Sequence, residues 1–297
     1  MNHFFFEKEH FNHHLENARE SYSTNLPFPH TVIDNFLPEA VAKQLLEEFP
    51  GPNYPHFRDA NNPRQLNKLA KIQEFGFKGL SPFLRQVLNE FNHSPFIEFL
   101  EQLTGIKGLI PDPHFHGGAL HQILPKGKLD IHVDFNQNRD RTLDRRINVL
   151  LYLNENWDRS FNGELELWEK DLSRCAKRIL PIFNRCVIFN TTAQSFHGHP
   201  EPLNCPDGIT RKSIALYYYT SGRPAIETKQ FVGTLWMNKK PSHEFAFNKK
   251  RKLKAIAEGI LPPILWKFMV EFYYNKILIG ISAGQRLLRK QRGNTHN

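Results

Sequence analysis

Two imidazoles and a carboxylate stand at spacings that suit a metal: His132-Val133-Asp134, then a lone His197, with Arg211-Lys212-Ser213 beginning fourteen residues beyond that. Two nitrogen donors and one oxygen can cap one face of an octahedral ion and leave the opposite face open, the donor set of non-haem Fe(II) enzymes that hold a co-substrate and O2. The chemistry implied is oxygenation. A His-x-Asp triplet also arises by chance in a chain with 15 histidines, so its meaning rests on the elements around it.

On an extended strand, residues i and i+2 project to the same side, so His132 and Asp134 can converge on one ion while Val133 packs behind them. The third ligand must come from a distant strand that folds back alongside. The apolar run Cys186-Val187-Ile188-Phe189 leads through Thr191-Thr192-Ala193-Gln194-Ser195-Phe196 to His197, delivering that ligand at or just after a strand end. His199 is a rival imidazole in Phe196-His197-Gly198-His199, but it precedes a proline, which biases it into the turn. His197 is therefore the expected ligand. Arg211 opens the run Arg211-Lys212-Ser213-Ile214-Ala215-Leu216-Tyr217-Tyr218-Tyr219, rich in the β-branched and aromatic residues of a buried strand. A guanidinium there can grip a carboxylate at two points and cannot lose its charge in a dry pocket. Read without the histidines and the aspartate, it would be an ordinary solvated strand end.

At these residues the sequence resembles the Fe(II)/2-oxoglutarate-dependent dioxygenases of the prolyl 4-hydroxylase family. The resemblance covers 28–220, and its specific part is 122–219: Gly127 to Asp134, Asn148 to Trp157, Gly163 to Leu167, Arg185 to Phe189, then His197 and Arg211, in family order. It implies that His132, Asp134 and His197 hold Fe(II) and that Arg211 pairs with the distal carboxylate of 2-oxoglutarate, with O2 as second co-substrate and ascorbate as a reductant. Tyr152 falls where oxygen-sensing members carry a tyrosine that bonds the same carboxylate, and Ser213 fits the family's Arg-x-Ser variant. Gln122, ten residues before the first ligand, stands where several relatives have a tyrosine near the co-substrate. Halogenating relatives lack the carboxylate, so Asp134 implies hydroxylation. The substrate class implied is peptidyl or free proline, or another amino acid. Two alternatives stay open: a tailoring hydroxylase of a saccharide or lipid-linked metabolite, and a non-catalytic jelly-roll binding module.

The fold expected is mainly β, a double-stranded β-helix (jelly roll) over 27–225. It follows a polar, partly helical lead-in at 1–26 and is buttressed by N-terminal helices, with a basic helical extension at 226–297. Helical spacing of Ala40, Val41, Leu45, Leu46 and Phe49 predicts a helix over 39–49, and a second is expected over 81–104 with a break near Ser94-Pro95. The insert from Pro200 to Gly208 reads as a loop over the site mouth. Arg139, Arg141, Arg145 and Arg146 read as a solvated loop or as an entrance favouring acidic partners.

Charge is uneven. Residues 226–297 carry 14 Lys or Arg against 4 Asp or Glu, and the rest of the chain is nearly balanced at 25 against 26. Between the basic clusters at 249–254 and 286–292 lies the apolar stretch 260–283, which Pro262-Pro263 and charged residues keep from being a clean span of about 20 residues. This tail is expected to pack on the domain or on a twin subunit as a homodimer; peripheral contact with an anionic membrane face is the functional alternative. No nucleic-acid motif accompanies the charge. Three cysteines, an odd number without metal spacing, and no evident signal peptide suggest a cytoplasmic setting, where the tail could meet the inner face of a membrane.

Overall fold

A computed structural model describes residues 4–71, 79–138, 140, 142–224 and 233–237. The expected basic helical extension lies outside these residues, apart from a short strand noted below. Among the described residues no helix is long and apolar enough to cross a membrane.

The described elements run in the order α1 (Lys8–Tyr22), β1 (His30–Ile33), α2 (Glu39–Glu47), β2 (Phe57–Asp59), β3 (Gln65–Lys71), α3 (Pro82–Glu90), α4 (Ser94–Thr104) and β4 (Ile110–Pro111). The C-terminal strands follow: β5 (Ala119–Val133), β6 (Asp144–Tyr152), β7 (Leu165–Trp168), β8 (Cys175–Ile179), β9 (Arg185–Asn190), β10 (His197–His199), β11 (Arg211–Thr220) and β12 (Leu235–Trp236). All of the strand pairings are antiparallel, in the order β1-β9-β6-β11-β5-β10-β7-β8, with β3 and β12 added on β5. The sheet curls into the expected jelly-roll half-barrel.

Local sequence explains the helical layer. Ser81 caps α3 by accepting from the Leu84 amide at 3.1 Å, and Pro95 sits in the first turn of α4, where a missing N–H is harmless. The expected helix over 81–104 is therefore two helices. Gly105, at φ +73°, ends the second in the left-handed conformation that favours glycine. The residues expected as a lead-in are part of the core: α1 buries Phe11, Leu15, Ala18 and Tyr22 at helical spacing, and Phe11 stacks on Phe99 of α4 with ring centroids 4.8 Å apart.

Period-two alternation divides the sheet into two faces. Ile147, Val149 and Leu151 of β6, with Ile214, Leu216 and Tyr218 of β11, join the helices in the main core. The residues between them, Asn148, Leu150, Tyr152, Ser213, Ala215 and Tyr217, line an internal cavity. Burying an apolar side chain of this size stabilises by about 1.5–3 kcal/mol, so the helix-facing set fixes register and with it what points inward. The Tyr218 hydroxyl ties the layers by donating to the Phe91 carbonyl at 2.8 Å.

Two further expectations are revised. The insert at 200–208 docks beside β5 rather than over the cavity: the Leu203 carbonyl accepts from the Lys126 amide and the Leu203 amide donates to the Gly127 carbonyl, both of β5, and Leu203 is buried against Ile123 and Trp157. On the C-terminal side, β12 pairs with the β5 residues Val133 and His132, so chain beyond residue 225 takes part in the sheet.

Candidate active site

β5 carries His132 near its end, with Asp134 one residue past it, and β10 is registered so that His197 lies directly opposite His132. The two imidazole centroids are 4.5 Å apart, His132 Nε2 is 3.3 Å from Asp134 Oδ1, and His197 Nε2 is 3.4 Å from Asp134 Oδ2. Donors about 2.1 Å from an ion and at right angles to one another would be about 3 Å apart, so the observed spacing fits one metal. Among the described residues this is the one His/Cys/Asp/Glu group with such convergence.

Each imidazole is aimed by the same device. Nδ1 of His132 lies 2.9 Å from the Asp130 carbonyl, and Nδ1 of His197 lies 2.9 Å from the Ser195 carbonyl. A carbonyl only accepts, so Nδ1 carries the proton and Nε2 presents its lone pair to the shared gap. Gly198 lets the strands approach this closely, because a Cβ there would fall 2.8 Å from the carbonyl oxygens of both Leu129 and Asp130. Burial lowers the pKa of His132, with the neighbouring His197 adding to the effect and Asp134 opposing it, which keeps the ring available as a neutral donor.

Asp134 is held from below. Arg145 Nη2 donates to its Oδ2 at 2.9 Å and Asn148 Nδ2 donates to the same atom at 2.7 Å. Arg145 also donates to Asn148 Oδ1 and lies over the Tyr217 ring, 3.4 Å from its centroid. Burial alone would raise the Asp134 carboxyl, but Arg145 first, then His197 and His132, hold it well below the usual carboxylate range. The expectation of a solvated loop or entrance is thus corrected for Arg145, which is wholly buried, and for Arg146, which is buried too, while Arg139 and Arg141 lie outside the described residues. The reason is that β6 alternation turns Asn148 inward and Arg145 reaches the same side through the irregular register opposite Tyr218 and Tyr219.

Across the cavity, Arg211 is positioned by three contacts. Its Nε donates to the Gly163 carbonyl at 2.8 Å, its Nη2 lies 3.3 Å from the Tyr152 hydroxyl, and its guanidinium carbon is 4.8 Å from the Tyr152 ring centroid. Both residues are buried. The cavity between Arg211 and the triad measures about 220 Å³, and Ser213 lines it as well. Six of the seven site residues named from the sequence, His132, Asp134, His197, Arg211, Tyr152 and Ser213, therefore meet in one space.

Gln122 does not. Its amide donates to Thr210 Oγ1 at 2.8 Å, away from the cavity, and His121 and Ile123 face inward instead. The β5–β10 register shifts by one between His132 and Leu129, so a count of ten back from His132 lands on the wrong face. Two lining residues had no sequence signal, Lys68 and Trp236, whose ring lies 5.0 Å from that of His132; His199, the rival imidazole, is a wall residue rather than a ligand, and His121 lines the cavity as well.

With this geometry in view, residues 118–219 match the family model of the 2OG-Fe(II) oxygenase superfamily. Over 203 residues the chain is 25% identical to mouse prolyl 3-hydroxylase OGFOD1, covering 65% of this chain and 33% of that protein. The Xenopus laevis protein of the same name is 26% identical over 203 residues, covering 66% and 35%. The chain thus spans about a third of the length of these curated relatives. Among solved structures, a Trichoplax adhaerens prolyl hydroxylase in complex with a hypoxia inducible factor oxygen degradation domain peptide fragment matches with a TM-score of 0.52 and 19% identity, over 71% of this chain and 91% of that one. The fold is that of the prolyl hydroxylase jelly rolls. The chain carries a 2OG-Fe(II) oxygenase domain, homologous to prolyl hydroxylases, and its cofactor set is Fe(II), 2-oxoglutarate and O2.

Proposed function

We propose that this chain hydroxylates an unactivated C–H bond in the manner of a prolyl hydroxylase, with peptidyl or free proline, or another amino acid, as substrate. The observation that carries this reading is the convergence of His132, Asp134 and His197 opposite Arg211 across one cavity. In it, His132, Asp134 and His197 hold Fe(II), while Arg211 and the Tyr152 hydroxyl receive the distal carboxylate of 2-oxoglutarate beside Ser213. Bound Fe(II) supplies O2 activation, coupled to oxidation of 2-oxoglutarate to succinate and CO2.

The protein's own share is orientation and exclusion of water. The carbonyls of Asp130 and Ser195 fix the tautomers of the two histidines. Arg145 and Asn148 keep Asp134 ionised and still, and Ile123, Leu129, Leu150 and Leu165 supply apolar wall. The names of the relatives, prolyl 3-hydroxylases and a prolyl hydroxylase seen with a peptide, support a prolyl substrate presented in a peptide. The thiols, unpaired among the described residues, support a cytoplasmic setting, and ascorbate as reductant rests on the family resemblance alone. The basic excess at 226–297 supports peripheral contact with an anionic membrane face, and the apolar stretch at 260–283 supports a homodimer contact.

The test is anaerobic addition of Fe(II) and 2-oxoglutarate, read as a weak visible charge-transfer band, followed by O2 with succinate and a product heavier by one oxygen atom as readouts. His132→Ala should abolish the band. A folded wild-type protein that gives neither band nor succinate would defeat the proposal.

A further inference from the structure

Lys68 enters the same cavity from β3, and nothing in the chemistry above uses it. Among the lining residues Asp134 is the sole carboxylate, against Lys68, Arg211 and four histidines. Lys68 makes no ion pair among the described residues; its ammonium lies 3.4 Å from the neutral Gln65 side-chain oxygen. With the active site loaded, Fe(II) cancels a dianionic 2-oxoglutarate and Asp134 cancels Arg145. Arg211 and Lys68 then remain as positive charge in the cavity, Arg211 buried and Lys68 half-buried, where an unmatched ion is costly.

Position separates the two cations. Arg211 and Lys68 flank the same β5 residue, Ile123, from opposite edges, one on β11 and the other on β3. Two strand spacings put their backbones about 10 Å apart. Arg211 is engaged by Gly163 and Tyr152 at the co-substrate end. Lys68 shares its edge of β5 with β12, which brings Trp236 onto the His132 ring, and Arg64 ties the two edge strands by donating to the Met237 carbonyl at 3.0 Å. The Lys68 edge is thus built separately from the co-substrate clamp and lies against the metal-binding histidine.

Resting on the reading above, we propose that Lys68 is a specificity-determining residue that receives an anionic group of the substrate, a carboxylate carried close to the carbon that is hydroxylated. Desolvation lowers the Lys68 ammonium to about 8, with Asp134 opposing and Arg211 and Arg145 adding to the effect. A bound carboxylate would restore what burial removes. A hydrogen bond to a charged group contributes about 1.5–3 kcal/mol, so its loss should cost about ten- to a hundredfold in kcat/KM for an acidic substrate.

The experiment has two arms. In the first, full-length protein loaded with Mn(II) and 2-oxoglutarate is labelled with trinitrobenzenesulfonate at pH 8, and the modified lysines are mapped by mass spectrometry. Lys68 should label whether or not 2-oxoglutarate is bound, and Lys68→Met should leave 2-oxoglutarate affinity unchanged. Protection by 2-oxoglutarate alone, or loss of its affinity in Lys68→Met, makes Lys68 part of the co-substrate clamp and overturns the proposal.

In the second arm, matched probes (L-proline against L-prolinamide, Pro-Asp against Pro-Asn) are scored for stimulated succinate release. The acids should be preferred by wild type, and Lys68→Met should erase the preference at unchanged KM for 2-oxoglutarate; equal response to acids and amides in wild type overturns the proposal. Silence from every probe while the charge-transfer band persists counts against the prolyl substrate alone, and the labelling arm then decides for Lys68.

Discussion

Replacing Arg145 by methionine isolates the force that holds Asp134. Arg145 has no exposed surface, and it gives hydrogen bonds of 2.9 Å to Asp134 Oδ2 and of 2.9 and 2.6 Å to Asn148 Oδ1. It also lies between the rings of Tyr217 and Phe135, at 3.4 and 4.4 Å from their centroids. Methionine fills much of the volume but leaves Asp134 without its cation. Removing one partner of a buried ion pair costs about 3–5 kcal/mol. For a chain of this size each kcal/mol shifts Tm by about 2–4 °C, so the metal-free variant should melt about 6–20 °C below wild type. A divalent ion bound between His132, Asp134 and His197 would supply the lost positive charge. Mn(II) should therefore raise the Tm of Arg145→Met by more than it raises that of wild type. The assay is thermal denaturation of both proteins with EDTA and with saturating Mn(II). A metal-free variant that loses less than about 1 kcal/mol, or gains no more from Mn(II) than wild type, would show that the arginine is packing rather than counter-charge.

Other outcomes follow from the same geometry. Arg211→Met should weaken 2-oxoglutarate by about ten- to a hundredfold in anaerobic titration while metal affinity stays, as expected for one lost charge-assisted contact. Gly163→Ala should weaken 2-oxoglutarate and lower stability by about 1–3 kcal/mol, because a Cβ at φ +77° would meet Leu203 Cδ2 at 2.5 Å and Arg211 Cδ at 3.1 Å; unchanged binding would free Arg211 from dependence on that turn. Gly198→Ala should instead lower metal affinity, read by Mn(II) titration, since it pushes β10 away from β5 and separates His132 from His197. Burial lowers the pKa of both His14 and His30, against the pull of the Phe36 and Phe28 carbonyls. The unfolded chain therefore takes up protons first as pH falls below about 6.5, and stability must drop through that window by up to about 1.4 kcal/mol per pH unit per histidine. Denaturant titrations of metal-free protein between pH 7.5 and 5.5 measure this; a flat profile refutes it.

Much of the site was legible because its parts lie on regular strands. His132 and Asp134 obey the two-residue period, and Arg211 and Ser213 obey it on β11, so their shared face follows from sequence alone. Tyr152, at the end of β6, was named by the family resemblance and not by this period. Gln122 failed because a register shift between Leu129 and His132 breaks the count, and nothing in Gly127-Lys128-Leu129-Asp130 marks where the extra residue falls. Arg145 failed for a related reason: a basic cluster reads as solvated until the carboxylate it neutralises is known to lie beneath it.

By its own pattern the chain determined a set of strands, their inward faces, and a donor set able to hold iron opposite a cation. Those properties depend on local alternation and side-chain chemistry, which are written residue by residue. Tertiary structure alone decided that Arg145 serves Asp134, and that Lys68 and Trp236 close the edge of β5. Each of these depends on register between strands distant in sequence, which is set by how the whole core packs and by no residue's own spacing.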